Sequence, residues 1–229
     1  VDLAAAMRTT GAVRAFTDAP VDDATIGRIL DLARFAPSGG NRQPWRVVVV
    51  RDPQLRRAVR DLAVLGWREY CGYLAAGRVP FAPGPDGAPP DPARDGIDLE
   101  AARDTPAPAP FVDRLDAAPV LLVIGAHLPD LAVLDAGLGR QSIVGGASVY
   151  PFVQNLLLAA RTEGLGGVLT TFLCRQEPAV RALLGMPADV GLAAVVALGV
   201  PERFPRRLRR RPVPEFTTLD TFEGPAFGG

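Results

Sequence analysis

The chain is poor in the side chains from which most catalytic and metal centres are built, with one histidine, His127, and two cysteines, Cys71 and Cys174. Two thiols so far apart make neither a disulfide framework nor a zinc cluster. Each reads as a reduced side chain in the packing, which favours a reducing, cytoplasmic setting. A lone histidine with no serine, cysteine or carboxylate motif beside it argues against a triad and reads as a strand-end residue. An excess of either charge is also missing, because 25 basic residues balance 25 acidic ones. No global field therefore draws the molecule to nucleic acid or to an anionic membrane. No apolar run has the length of a membrane span, and Val1 to Arg8 lacks the charged and apolar regions of a secretory signal. Neither G-x-G-x-x-G nor G-K-[ST] occurs, so a nucleotide would have to be held by another device.

What is present is apolar mass. Hydrophobic residues make up 48% of the 229, enough to bury a full core, and the chain reads most economically as one domain over 1–229. From Asp22 or Asp23 to Phe35, Ile26, Ile29, Leu30 and Ala33 recur at helical spacing behind capping aspartates. Trp45 to Val50 is a β-branched run, expected to be a central strand covered on both faces. Asp52 and Pro53 open a second helix carrying Leu55, Val59, Leu62 and Leu65. Residues Gly77 to Pro110 have no period and predict a mobile surface excursion, either a lid over a pocket or an idle insertion. Pro119 to Gly125 predicts a buried strand with His127 just after it. Gly145 to Ser148 opens a long helix ending at Gly164, apolar enough to be buried in the core or against a second subunit. Strands are expected over Val168–Phe172 and Gly191–Leu198, with a helix over Glu177–Leu184 stopped by Gly185. Helices and strands mix without regular alternation, which predicts an α+β fold.

The densest stretch is Ala36-Pro37-Ser38-Gly39-Gly40-Asn41-Arg42-Gln43-Pro44-Trp45. Its glycines allow close approach to a flat ligand, and Asn41 and Gln43 each offer a donor and an acceptor, matching a heteroaromatic edge that alternates C=O and N–H. A helix-to-strand connector would also use Gly and Asn, for the turn alone. Two arginine clusters suit a phosphate: Arg8 to Phe16, with Arg14, and Arg206-Arg207-Leu208-Arg209-Arg210-Arg211. The second lacks interleaved aromatics for base stacking and reads as a solvated tail or as a site for some other anion.

Pro37-Ser38-x-x-Asn41-x-Gln43-Pro44-Trp45 resembles the signature of the FMN-dependent nitroreductase family, and the likeness extends over nearly the whole chain outside 77–110. It implies a central mixed or antiparallel sheet flanked by helices and an intertwined homodimer whose subunits share each flavin site. FMN would be the cofactor, NAD(P)H the donor, and nitroaromatics or quinones the acceptors, in ping-pong hydride transfer through flavin N5 with no catalytic side chain and no metal. The cofactor-binding residues so implied are Arg8, Thr10, Arg14, Pro37, Ser38, Gly39, Asn41, Gln43, Ser148, Leu169, Thr170, Thr171, Arg209 and Arg210. The chain departs from the family pattern in having no serine between Arg8 and Arg14, where Thr9 or Thr10 would stand in. It also has no Asn and Lys counterpart around Trp67 to Tyr70. Relatives that dehalogenate an aromatic substrate or fragment the flavin share the fold, and a non-catalytic anion-binding protein is the alternative from another class.

Overall fold

The β-branched and apolar runs form four strands, β1 (Trp45–Val49), β2 (Val120–His127), β3 (Gly166–Thr170) and β4 (Val190–Gly199). They make one antiparallel sheet in the order β1-β2-β4-β3. The computed structural model describes residues 2–205 and 208–228. Six α-helices accompany the sheet among those residues: α1 (Leu3–Thr9), α2 (Asp23–Ala33), α3 (Pro53–Ala75), α4 (Leu99–Asp104), α5 (Tyr150–Thr162) and α6 (Glu177–Leu184). The architecture is the expected α+β, with every strand pairing antiparallel.

Successive residues of a strand face opposite sides, and β2 uses both. Val120, Leu122 and Ile124 pack with Ile26 and Ile29 of α2 and Phe152, Val153 and Leu156 of α5. Leu121 and Val123 pack with Val59 and Ala63 of α3, Leu115, and Val180 of α6. Helices on both faces explain why β2 reads as an unbroken apolar run. The strand expected to be central, β1, is instead an edge strand, and its burial alternates with Arg46 and Val48 exposed. Its inner face is held by Trp45, which stacks on Phe152 at 4.9 Å between centroids.

Asp22 accepts a hydrogen bond from Thr25 N at 2.8 Å and caps α2, and Asp52 caps α3 by accepting from Gln54 N and Leu55 N. Gly185 ends α6 at φ +63°. The helix expected from Gly145 begins as a 3-10 turn over Val144–Ser148, and α5 itself starts at Tyr150 with Pro151 in its first turn. The strand expected over Val168–Phe172 lies two residues earlier. Gly166 and Gly167 belong to it because a Cβ at Gly166 would sit 2.7 Å from Val13 and one at Gly167 would overlap Leu198. Strand glycines that admit another segment of backbone look like loop glycines in a sequence.

The 77–110 excursion is packed rather than featureless. Asp98 caps α4, whose Ala102 lies against Gly72 of α3. Glu69 of α3, fully buried, accepts from Arg103 Nε at 2.6 Å, Arg175 Nε at 2.7 Å and Gln176 Nε2 at 3.0 Å. One carboxylate thus ties α3 to α4 and to the 3-10 turn after β3. Replacing Glu69 by Ala leaves two guanidinium groups facing a void, and this variant is expected to lose about 2–4 kcal/mol of stability in urea titration. A loss below about 0.5 kcal/mol, the range of ordinary surface substitutions, would remove Glu69 from this role.

Candidate functional site

The loop between α2 and β1 adopts an unusual backbone. Gly40, Asn41 and Gln43 have φ of +60°, +53° and +51°, and the two non-glycine residues each carry a cost of order 1 kcal/mol. Local bonds hold this shape. Asn41 N donates to Ser38 O at 2.9 Å, Gln43 N to Ser38 Oγ at 3.0 Å, and Gln43 Nε2 to Asn41 Oδ1 at 3.2 Å. Gly39 N donates to Ser148 Oγ at 3.0 Å, so the 3-10 turn before α5 anchors the loop. Ser38, Gly39, Asn41, Gln43 and Ser148 are therefore gathered at one place, with Pro37 exposed at its entrance. Asn41 Nδ2 and Gln43 Oε1 have no protein partner among the described residues, leaving an amide NH2 and an amide oxygen free on two exposed residues.

Behind Ser148, the 128–148 segment is organised by Asp135, 4% exposed. It accepts from Ile143 N at 2.8 Å, Ser142 Oγ at 2.8 Å and Arg140 Nη1 at 2.9 Å. The Ile143 amide first, then Ser142 and Arg140, hold its carboxyl well below the usual carboxylate range despite burial.

A second group of expected residues lies at the far end of the sheet. Val13 N donates to Gly167 O and Thr17 N to Val200 O, both at 2.9 Å, and Phe16 bridges to Pro201, laying the Arg14 segment across the β3 and β4 ends. Arg14 faces a cavity of about 620 Å³ whose walls include Phe16, Trp67, Phe111 and Phe172. Trp67 Nε1 donates to Pro108 O at 3.3 Å and fixes the excursion's exit as one wall. Arg114 enters the same cavity. No motif marks it, and its only distinction along the chain is a position just before β2. Neither arginine makes an ion pair among the described residues.

Thr10 ends α1 with its hydroxyl buried and unpartnered, and Arg8 is exposed in the preceding turn. Gly11 packs against Pro205 and Leu208, where a Cβ would come within 2.7 Å of Leu208, so the segments that carry the two arginine clusters touch at this point. Arg209 and Arg210 are exposed beyond this contact, while Arg206 and Arg207 fall outside the described residues. On β3, Leu169 packs toward α5 and Thr170 is buried, and Thr171 lies just past the strand. Cys174 is inert, its pKa pushed up to about 12 chiefly by burial, and burial raises Cys71 too. Among the described residues no cluster could hold a metal ion.

Two internal rulers separate the groups. His127 N donates to Pro44 O at the loop end of β2, and Ala117 and Ala118, just before its other end, line the cavity. The eight residues of β2 span roughly 23 Å at ~3.3 Å each. Along α5, Ser148 precedes the helix and Arg161 near its end reaches Thr9 at 3.4 Å, a span of roughly 20 Å at ~1.5 Å per residue.

Residues 7–200 match the Nitroreductase family. A protein of Thermus thermophilus named NADH dehydrogenase is 29% identical over 215 residues, covering 82% of each chain. A 5,6-dimethylbenzimidazole synthase of Rhodobacter capsulatus is 32% identical over 192 residues, covering 83% of this chain and 79% of that one. The solved structure of an oxidised iodotyrosine deiodinase bound to FMN and 3-iodo-L-tyrosine superposes with a TM-score of 0.65 at 23% identity, over 96% of this chain and all of that one.

Asp135's depressed pKa contributes stability that is complete above the unfolded carboxylate range and is lost as pH falls through the folded value. In Asp135→Asn, amide exchange at Ile143 and Gly39 is expected to accelerate at neutral pH, an acceleration the unmodified chain shows only in strong acid. Equal protection in the two proteins would remove Asp135 from support of the loop.

Proposed function

The chain belongs to the nitroreductase family, and from that premise we propose that it is an FMN-dependent oxidoreductase carrying electrons from NAD(P)H to a nitroaromatic or quinone-like acceptor. The observation that carries this reading is that the chain presents two separate groups of residues, one offering amide donors and acceptors and the other an aromatic cavity with two arginines that have no ion pair among the described residues. The residues present fit the cofactor. Free Nδ2 and Oε1 atoms on Asn41 and Gln43 complement the heteroaromatic edge, the cavity has flat aromatic walls, and Arg14 and Arg114 supply charge for the anionic tail or the reduced ring. FMN held there would supply hydride-transfer chemistry through its N5, between NAD(P)H and the acceptor in ping-pong order.

The protein's part is to bind and orient. Arg8, Thr10, Arg14, Arg209 and Arg210 would hold the phosphate, while Pro37, Ser38, Gly39, Asn41 and Gln43 would border the ring. Ser148 fixes the loop through Gly39, and Leu169 and Thr170 of β3, with Thr171 just after it, would lie beside N5. No side-chain nucleophile is needed, consistent with the raised thiols. A separation near 20 Å between the half-sites supports a homodimer in which each flavin lies between the loop of one chain and the cations of the other. The whole chain serves as one domain, with the exit of 77–110 forming a wall of the pocket, and reduced cysteines fit a cytoplasmic setting.

A second reading keeps the flavin and changes the reaction, and the 32% identity to a 5,6-dimethylbenzimidazole synthase favours it. Sustained NAD(P)H oxidation with a nitroaromatic or quinone supports the first reading, whereas loss of the flavin itself or dehalogenation without such turnover supports the second. Purified protein is expected to show flavin absorbance or to take up added FMN. Arg14→Ala should weaken that binding about 10- to 100-fold, the worth of a charge-assisted contact. Unchanged affinity would reject the assignment of Arg14, and failure to bind FMN at all would reject the reading.

A further inference from the structure

We propose that His127 is a positioning residue for the 37–43 loop, holding its pose through the Pro44 carbonyl and through the chain of contacts from Asp130 to Arg46 to Gln43. The link to cofactor binding rests on the reading of that loop given above. The imidazole is gripped at both nitrogens, with Nδ1 2.6 Å from Asp130 Oδ2 and Nε2 3.1 Å from Asp189 Oδ2. Its own backbone N–H donates to Pro44 O at 2.7 Å. The Asp130 Oδ2 atom that meets the ring also lies 3.9 Å from Arg46 Nη2, and Arg46 Nη1 donates to Trp45 O at 3.0 Å and to Gln43 O at 3.4 Å. The last residue of the loop and the strand that follows it thus share one anchor.

The side-chain part of that anchor depends on a proton. A neutral imidazole donates from one nitrogen and presents a lone pair at the other, so it satisfies one of the two carboxylates, whereas the imidazolium donates to both. The groups facing the ring are Asp130 from the turn after β2 and Asp189 from the turn before β4, with Arg46 of β1 beyond Asp130. A cavity of about 480 Å³ lined by Arg46, His127 and Asp189 gives this cluster an opening for proton exchange. The Asp130 hydrogen bond, and after it the Asp189 bond, hold the imidazole above its ordinary pKa in spite of partial desolvation. The raised folded value means that the doubly bonded state is complete below the unfolded imidazole range and is lost as pH rises through the folded pKa.

The test is an NMR titration of the apo protein from pH 5 to 9, following the His127 ring and the backbone amides of Asn41 and Gln43, combined with FMN affinity across the same range. The amides are expected to move with the midpoint of the ring. FMN dissociation constants should rise about threefold across that midpoint, the scale of a weakened hydrogen bond in a positioning shell. In His127→Gln both dependences should flatten. Asp189→Asn, which leaves β2 untouched, should lower the ring midpoint and carry the amide midpoint with it. Amides that stay fixed while the ring titrates, or an FMN pH profile unaltered in His127→Gln, would overturn the proposal. Amides that follow the ring in a protein binding no FMN at any pH would uphold the positioning role and defeat the cofactor reading separately.

Discussion

Strand β2 is the spacer on which the molecule depends. Eight successive residues, nearly all buried, pair with β1 on one side and β4 on the other and carry core side chains on both faces. Such a strand has no freedom to bend its ends together, because each face is committed to a different layer of helices. The loop that follows α2 is bonded to its C-terminal end, and the cavity that holds Arg14 and Arg114 opens beside its N-terminal end. The proposed need for a second chain follows from that rigidity and not from any feature of the loop or the cavity alone.

Each proposed half-site is braced from behind by a polar group that the apolar pattern does not announce. Asp135 gathers the 140–144 backbone so that Ser148 can meet Gly39, and the loop's left-handed residues are tolerated because Ser38 and Ser148 satisfy their neighbours. At the other end Glu69 gathers Arg103, Arg175 and Gln176, which seats the excursion and the turn carrying Phe172. Gly66 permits that seating, since a Cβ there would overlap the Phe172 carbonyl. Buried carboxylates of this kind stabilise little over an apolar substitute, yet they fix geometry because removing one partner strands the others.

Much of the fold was legible because local chemistry and tertiary demand agree. Asp22, Asp52, Pro53 and Gly185 punctuate helices where the caps require them, and β2 and β4 declare themselves by continuous apolar runs. The misplacements have a common cause in partners distant along the chain. Strand β1 has the composition of a central strand, but Arg46 and Val48 show its edge position only once its neighbour is known. Gly166 and Gly167 look like a turn until Val13 and Leu198 are seen against them. Helix α4 hides among prolines and glycines because its reason to fold is Glu69. For the site, Asn41, Gln43 and Ser38 stood out as a contiguous motif, whereas Arg114 carries no local signal and is identified by the cavity it shares with Arg14.

The claim that one site draws on two chains is tested most directly by mixing two defective variants, Arg14→Ala and Asn41→Ala, under conditions that exchange subunits. If the half-sites belong to different chains, half of the pairs are mixed and each mixed pair regains one of its two sites, so about a quarter of the wild-type flavin sites should return. A mixture that binds no more flavin than its separate components would place both residues in the site of a single chain and contradict the account.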